Sequence, residues 1–151
     1  MNAQRTHCES LLNVSQVHIA MRRIAPIAER HMSLSFAYCA MILGVICFQI
    51  ALIFGAPWGR ITQGGQNDGP LPISGRLVAA ASIFILLGMA LAVLSADGRW
   101  PDWPSWTLWI ALAVNALSMV LNWITPSKQE RRLWAPIMTV MFLLAVAVFW
   151  F

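Results

Sequence analysis

The sequence predicts an all-helical integral membrane protein, a bundle of four transmembrane helices. Of its 151 residues, 59% are apolar and only 11% are charged, and the mean hydropathy is +0.67. A soluble domain normally gives about a quarter of its residues to charge. Four stretches contain no charged residue, and each has the roughly 20 residues that a helix needs to cross the hydrocarbon core. The predicted spans are residues 34–54, 77–96, 105–125 and 133–151.

Residues 1–31 precede these spans and are a separate question. Apolar residues recur there at helical spacing, with arginines between them. This pattern is typical of an amphipathic helix that lies in the membrane interface. The alternative is that translation starts at Met21 or Met32, which would make the segment an artefact of start-site choice. In both interpretations residues 32–151 form the four-helix transmembrane domain.

The connection between the first two spans, Gly55 to Arg76, is rich in glycine and proline. These residues fix turns and permit positive backbone angles. A connection this long without a helix tends to be functional or disordered. Because Trp58 and Ile61 accompany the glycines, we expect an ordered loop that caps the bundle.

The third connection predicts where the last helix begins. Ser127 and Glu130 have the Ser-x-x-Glu spacing of a capping box, in which Ser caps the helix and Glu reaches back to the cap amide. The helix should therefore begin near Lys128, and Pro136 should kink it or restart it at the membrane surface. Lipid headgroups are the expected contacts of three residues beyond this start, Arg131, Arg132 and Trp134.

Two spans separate the first connection from the third, so both must emerge on the same face of the membrane. Lys and Arg outnumber Asp and Glu in them, and the positive-inside rule would place that face in the cytoplasm. The arginines of residues 1–31 give the opposite face an equal count. The orientation is settled only if Met32 is the true start.

Composition excludes several kinds of chemistry. The predicted spans contain no Asp, Glu, Lys, Arg or His, the residues that usually mark proton relays and ion pathways in a bilayer. All three histidines precede the first span, which excludes a haem held between facing spans. There is no Cys-x-x-Cys pair and no metalloprotease or serine hydrolase motif. We therefore expect no metal, no cofactor and no catalytic residue.

Polar side chains form stripes on the first and third spans. On the third, Asn115, Ser118 and Asn122 lie within about 60° of one another on a helical wheel. They should point inward, because amides facing lipid would be left unsatisfied. The simplest role is hydrogen bonding across helices. The functional interpretation is a ligand-binding pocket under the loop, walled by Gln49, Trp58, Arg76, Asn115 and Asn122.

The second span has a line of small residues, Ala81, Gly88 and Ala92. Small residues allow two membrane helices to approach closely. We therefore expect Gly88 to face a neighbouring helix of the bundle.

Two compound motifs surround the loops. The first is Gly55-Ala56-Pro57-Trp58-Gly59 followed by Gly64-Gly65, Pro70, Pro72 and Arg76, and the second is Asn122, Thr125-Pro126-Ser127, Glu130-Arg131, Leu133-Trp134 and Pro136. Together they resemble a family of short bacterial four-helix integral membrane proteins. The resemblance covers most of residues 54–136. It implies this fold and a bacterial inner-membrane location without an established activity. Arg60 departs from it, since an acidic or small residue is expected there.

Three functions remain open. The leading interpretation is a non-enzymatic membrane protein, either an accessory subunit or a bundle that binds a lipid or small ligand. Its expected partners are membrane lipids and a second copy or larger membrane complex, and no nucleic acid. One alternative is an oligomeric small-solute transporter or channel lined by the Asn and Gln stripes. The other is a membrane-surface enzyme that draws its acid and base from Glu130, Asp68 or the arginines.

Overall fold

The computed structural model describes residues 34–150 and is built of helices and connecting loops. The four α-helices are α1 (Leu34–Ile53), α2 (Ile73–Ala96), α3 (Trp106–Ile124) and α4 (Lys128–Trp150). Two short 3-10 turns, Gly59–Ile61 and Gln63–Gly65, lie in the first connection. Residues 34–150 contain no strand, so the predicted all-α fold is confirmed. The predicted N-terminal amphipathic segment lies outside the described residues.

All four helices are long and apolar enough to cross a membrane. In their most apolar windows only 28%, 33%, 22% and 28% of the residues are buried inside the bundle. Large apolar side chains face outward instead, and Leu43, Phe84, Leu117 and Leu143 are each more than half exposed. A soluble monomer rarely exposes apolar surface so widely, whereas hydrocarbon accommodates it. The chain is therefore an integral membrane protein.

The main apolar cluster in the interior of the bundle receives side chains from every helix. Tyr38 comes from α1, Leu86 from α2, Leu112 from α3 and Met141 from α4. Small residues such as the fully buried Ala145 let the helix backbones approach one another. This cluster fixes the relative positions of the polar side chains considered below.

Helix α2 begins earlier than the charge-free window predicts, at Ile73 rather than near residue 77. Pro72 has an extended backbone, and its carbonyl accepts a hydrogen bond of 3.0 Å from the Arg76 amide. The first turn thus contains Arg76, and a boundary drawn by charge alone misses it.

Helix α4 begins at Lys128, as the capping pattern predicts. The Glu130 amide donates to Ser127 Oγ at 3.3 Å, which is one half of the capping box. The other half is absent, because the Glu130 carboxylate binds residues elsewhere in the fold. The helix continues through Pro136 to Trp150, so of the two effects predicted for this proline, a kink or a restart, the restart does not occur.

Direct contacts place the first and third connections at the same end of the bundle. Ser127 Oγ donates to the Arg60 carbonyl at 2.9 Å. At the other end, Ser35 Oγ at the start of α1 donates to Asp97 Oδ2, just beyond α2, at 2.7 Å. The antiparallel order of the helices is the one that the parity of the spans predicts.

The prediction that Gly88 faces a neighbouring helix is wrong. A Cβ added at Gly88 would meet nothing within 4 Å. Ala81 is exposed and Gly88 is partly buried, so that of this line only Ala92 is buried, at 3% exposure. Helical spacing shows that these residues share a face, but it does not show which face packs inward.

Candidate functional site

The first connection folds back onto the start of α4. Gly64 and Gly65 have positive φ values of 81° and 68°, a backbone region that glycine enters readily. A Cβ at Gly65 would lie 2.5 Å from Ser127 Oγ. The paired glycines thus allow the loop backbone to approach the third connection closely.

Aromatic rings hold the loop against the bundle. Phe48 of α1 stacks on Trp58 with ring centroids 5.4 Å apart, and its centroid lies 4.6 Å from that of Trp134 in a T-shaped arrangement. Trp134 is 9% exposed, and its Nε1 donates to the Ile61 carbonyl at 2.8 Å. These three rings join α1, the first connection and α4 above the polar interior.

Glu130 is the buried acidic residue at this end, with 8% of its surface exposed. Its Oε2 accepts hydrogen bonds from the Gly64 amide at 2.9 Å and from Thr125 Oγ1 at 2.8 Å. No Lys or Arg of residues 34–150 forms an ion pair with it. Glu130 is therefore a buried carboxylate that is held by neutral donors.

A small cavity of about 150 Å³ lies beneath the loop. The first connection contributes Thr62 and α4 contributes Glu130 and Trp134. The helices α1 and α3 contribute Gln49 and Asn122 to the wall. The cavity thus combines a carboxylate, two amides, a hydroxyl and aromatic rings.

A second cavity of about 280 Å³ lies deeper in the bundle. Gln49 and Asn122 line both cavities, as do two apolar residues, Val45 and Met138. The deeper cavity also reaches Asn115, and no residue of α3 before Val114 lines it. Among residues 34–150, the two cavities therefore follow one another from the loop end to the middle of the bundle, and neither is lined by a residue of the opposite end.

Asn115 marks the inner end of this path and is fully buried. Its Nδ2 donates to the Tyr38 hydroxyl at 2.6 Å, while its Oδ1 has no hydrogen-bond partner in residues 34–150. An unpaired polar atom of this kind costs free energy in an apolar interior. The site would be stabilised by a donor from a bound water or ligand.

The structure brings together three of the five predicted ligand-binding residues, Gln49, Asn115 and Asn122. Trp58 and Arg76 do not line either cavity. Trp58 packs on the far face of Phe48 and is 41% exposed. Arg76 Nε donates to the Leu71 carbonyl at 3.0 Å, so this guanidinium braces the loop.

The predicted headgroup contacts are divided between two places. Arg131 and Arg132 line an outer cleft of about 470 Å³ together with Trp123, Lys128 and Pro136. Trp134 is not with them, because its ring is buried and its N–H is bound to the loop. The expectation that Trp134 contacts headgroups is therefore corrected, whereas the two arginines lie where anionic lipid could reach them.

An exposed ion pair fixes the outer side of the loop. Arg60 Nε donates to Asp68 Oδ1, and both side chains are more than half exposed. The hydrogen bond and charge of Arg60 lower the pKa of Asp68, and Asp68 correspondingly raises the pKa of Arg60. The pair lies outside the cavities, and its carboxylate offers a comparison for that of Glu130.

Sequence reasoning did not place Glu130 and Thr62 in the binding site. Glu130 matched a helix cap, and Thr62 had no distinctive spacing. The available signal was the pair Gly64-Gly65, which indicates a close backbone approach but does not identify its partner.

Comparison with protein-family models, curated proteins and solved structures gives no match for this chain. The family resemblance of the two loop motifs therefore stays a prediction. Any functional conclusion depends on the geometry of the cavities.

Proposed function

We propose that this protein is a non-enzymatic membrane protein that binds a small polar ligand or a lipid headgroup in the two cavities beneath the first connection. The observation that best supports this proposal is that the two cavities share part of their lining. Gln49 and Asn122 line both cavities, and the path leads to the fully buried Asn115, whose Oδ1 lacks a partner. Ligand sites are commonly concave and largely apolar, with a few convergent polar groups.

The closed inner end favours binding over conduction. A transporter or channel needs a polar path that can reach both faces of the membrane. Among the described residues the deeper cavity reaches Asn115, and Asn115 and its hydrogen-bond partner Tyr38 are both fully buried. Transport would require these two residues to separate.

The cavity also favours binding over catalysis. Glu130 is its one carboxylate among the lining residues, and those residues include no His, Lys or Cys. A general acid or base normally works with a second reactive group within hydrogen-bond reach. Amide and hydroxyl groups can orient a ligand without changing it.

We also propose a location and partners for the protein. The resemblance of the loop motifs supports a bacterial inner membrane. The outer cleft at Arg131 and Arg132 would contact anionic headgroups of surrounding lipid. A second copy or a larger membrane complex would cover part of the exposed apolar surface.

The test is the set of small molecules and lipids that co-purify with the protein. Wild type and Asn122→Leu would be extracted from native membranes in a mild detergent and analysed by mass spectrometry. Leucine fills the junction of the two cavities with an apolar side chain, so a specific species should be depleted. Val120→Leu, an enlargement at an exposed position of α3 that lines neither cavity, is the control and should leave the bound species unchanged. Identical sets of bound species for wild type and Asn122→Leu would contradict the proposal.

A further inference from the structure

The smaller cavity beneath the loop has a chemistry of its own, which identifies a class of ligand. Its lining includes Glu130, Thr62, Gln49 and Asn122. Glu130 is the one charged residue of this lining, and the amides and the hydroxyl add further acceptor oxygens. A ligand that complements the carboxylate is a hydrogen-bond donor.

Glu130 supplies the carboxylate of the smaller cavity. Both of its hydrogen bonds reach Oε2, from the Gly64 amide and from Thr125 Oγ1, and no donor in residues 34–150 reaches Oε1. The residue is more than nine-tenths buried. A buried carboxylate is costly unless it is paired as well as hydrogen-bonded. No Lys or Arg of the described chain forms an ion pair with Glu130, and this leaves that role open for a ligand.

The neutral polar groups of the same cavity also offer acceptor oxygens to such a ligand. Asn122 Nδ2 donates to the Ser118 carbonyl at 2.8 Å, which leaves its Oδ1 as an acceptor. Thr62 is 8% exposed, and its hydroxyl has no hydrogen bond within the described chain. The indole N–H of Trp134 is already bound to the Ile61 carbonyl and so cannot donate into the cavity. Carboxylate, amide and hydroxyl oxygens together suit the three N–H donors of an ammonium group.

The aromatic rings that line the cavity and the volume of the cavity give further information about the ligand. Phe48 and Trp134 line the same cavity, and aromatic faces attract cations. A volume of about 150 Å³ is several times the roughly 30 Å³ of a water molecule. It has room for an aminoethyl group.

We infer that the cavity at Glu130 binds a primary ammonium group, carried either by an aminoethyl lipid headgroup or by a free small amine. This inference rests on the proposed ligand-binding function and specifies its ligand. The nearby cations Arg131 and Arg132 line the separate outer cleft, so they do not compete for Glu130. The ammonium group donates to Glu130 Oε1 and lies against the rings of Phe48 and Trp134.

Native mass spectrometry of the full chain in detergent tests the inference directly. The probes are phosphatidylethanolamine and its N-acetylated form with the same acyl chains, which has no positive charge. Wild type should bind the first at least about tenfold more tightly, because a hydrogen bond between charged groups is worth about that factor. Glu130→Gln keeps an acceptor oxygen for Gly64 and Thr125 and should lose the preference. Asp68→Asn removes an exposed carboxylate on the same loop and should keep it.

Ethanolamine hydrochloride distinguishes the two sources of the ammonium group. Competition by millimolar ethanolamine that depends on Glu130 supports a free amine, whereas a preference for phosphatidylethanolamine without such competition supports a lipid. Equal binding of both lipids to wild type, with no ethanolamine effect that depends on Glu130, would overturn the inference. The comparison of the two lipids on wild type remains decisive if Glu130→Gln fails to fold.

Failure of this inference can be separated from failure of the proposed function. If Asn122→Leu loses a co-purifying species while Glu130→Gln retains it, the cavity binds a ligand that is not an ammonium compound. If neither variant differs from wild type in its bound species, both proposals fail.

Discussion

The Glu130 carboxylate accepts a 2.9 Å hydrogen bond from the backbone amide of Gly64, a residue 66 positions earlier in the chain. This contact joins the first connection to the start of α4 at the mouth of the polar path. It depends on two features of the sequence, a glycine pair that brings the loop backbone close and a carboxylate three residues after the cap Ser127. The loop and the cavity are thus parts of one structural unit.

Replacing Glu130 by alanine should destabilise the fold more than replacing it by glutamine. Glu130→Ala leaves the Gly64 amide and the Thr125 hydroxyl without an acceptor and should cost about 2 to 4 kcal/mol of unfolding free energy. Glu130→Gln should cost less, because its amide oxygen still accepts. Thermal or denaturant unfolding in detergent measures both. The exposed Asp68→Asn is the control and should change little; an equal loss in all three variants would refute the structural role of Glu130.

Substitution by alanine should have opposite effects on stability at Gly65 and at Gly88. Gly65→Ala places a Cβ 2.5 Å from Ser127 Oγ at a φ of +68°, and this clash and strain should cost about 1 to 3 kcal/mol. Gly88→Ala adds a methyl group where nothing lies within 4 Å, and alanine is the better helix former by up to about 1 kcal/mol. It should be neutral or stabilising. Melting temperatures of the two variants that change by the same amount in the same direction would contradict these positions.

The pair of Tyr38 and Asn115 should show strong coupling. Tyr38→Phe removes the partner of Asn115 Nδ2 and leaves a fully buried amide unsatisfied at both ends, at a cost of about 1 to 3 kcal/mol. Adding Asn115→Leu removes the stranded amide and should recover part of that loss. A double-mutant cycle of unfolding free energies measures the coupling. Strictly additive losses would show that the two side chains do not interact.

The pair of Arg60 and Asp68 sets a pH dependence in the acid range. Because Arg60 lowers the pKa of Asp68 in the folded chain, the contribution of the pair is present above the unfolded-state pKa of Asp68. It is lost as the pH falls through the lowered folded-state pKa. Any difference in melting temperature between wild type and Asp68→Asn should be small at neutral pH, since the pair is exposed, and should disappear in acid. A difference that grows as the pH falls has the wrong sign for this linkage.

Much of the fold was predictable because the bilayer sets the length of a span and excludes charge from it. The position of α4 was predictable because Ser127 and Glu130 signal a helix start locally. The start of α2 at Ile73 precedes the charge-free window, because Arg76 lies in its first turn, where the Pro72 carbonyl accepts from the Arg76 amide.

The site was partly predictable for a related reason. Gln49, Asn115 and Asn122 had to avoid lipid, and this constraint directed them to the same interior. The position of Trp134 depends on a hydrogen bond to Ile61 from a distant loop, and spacing along the chain cannot show such a contact. The same is true of Thr62 and of the second role of Glu130.

A density map of the protein purified in native lipid tests the central claim most directly. We expect four membrane-spanning helices, with non-protein density between Gln49 and Asn122 that extends to the Glu130 carboxylate. A map in which protein side chains fill that space, or in which the polar path runs open past Tyr38 and Asn115 to the opposite face, would contradict a ligand-binding bundle.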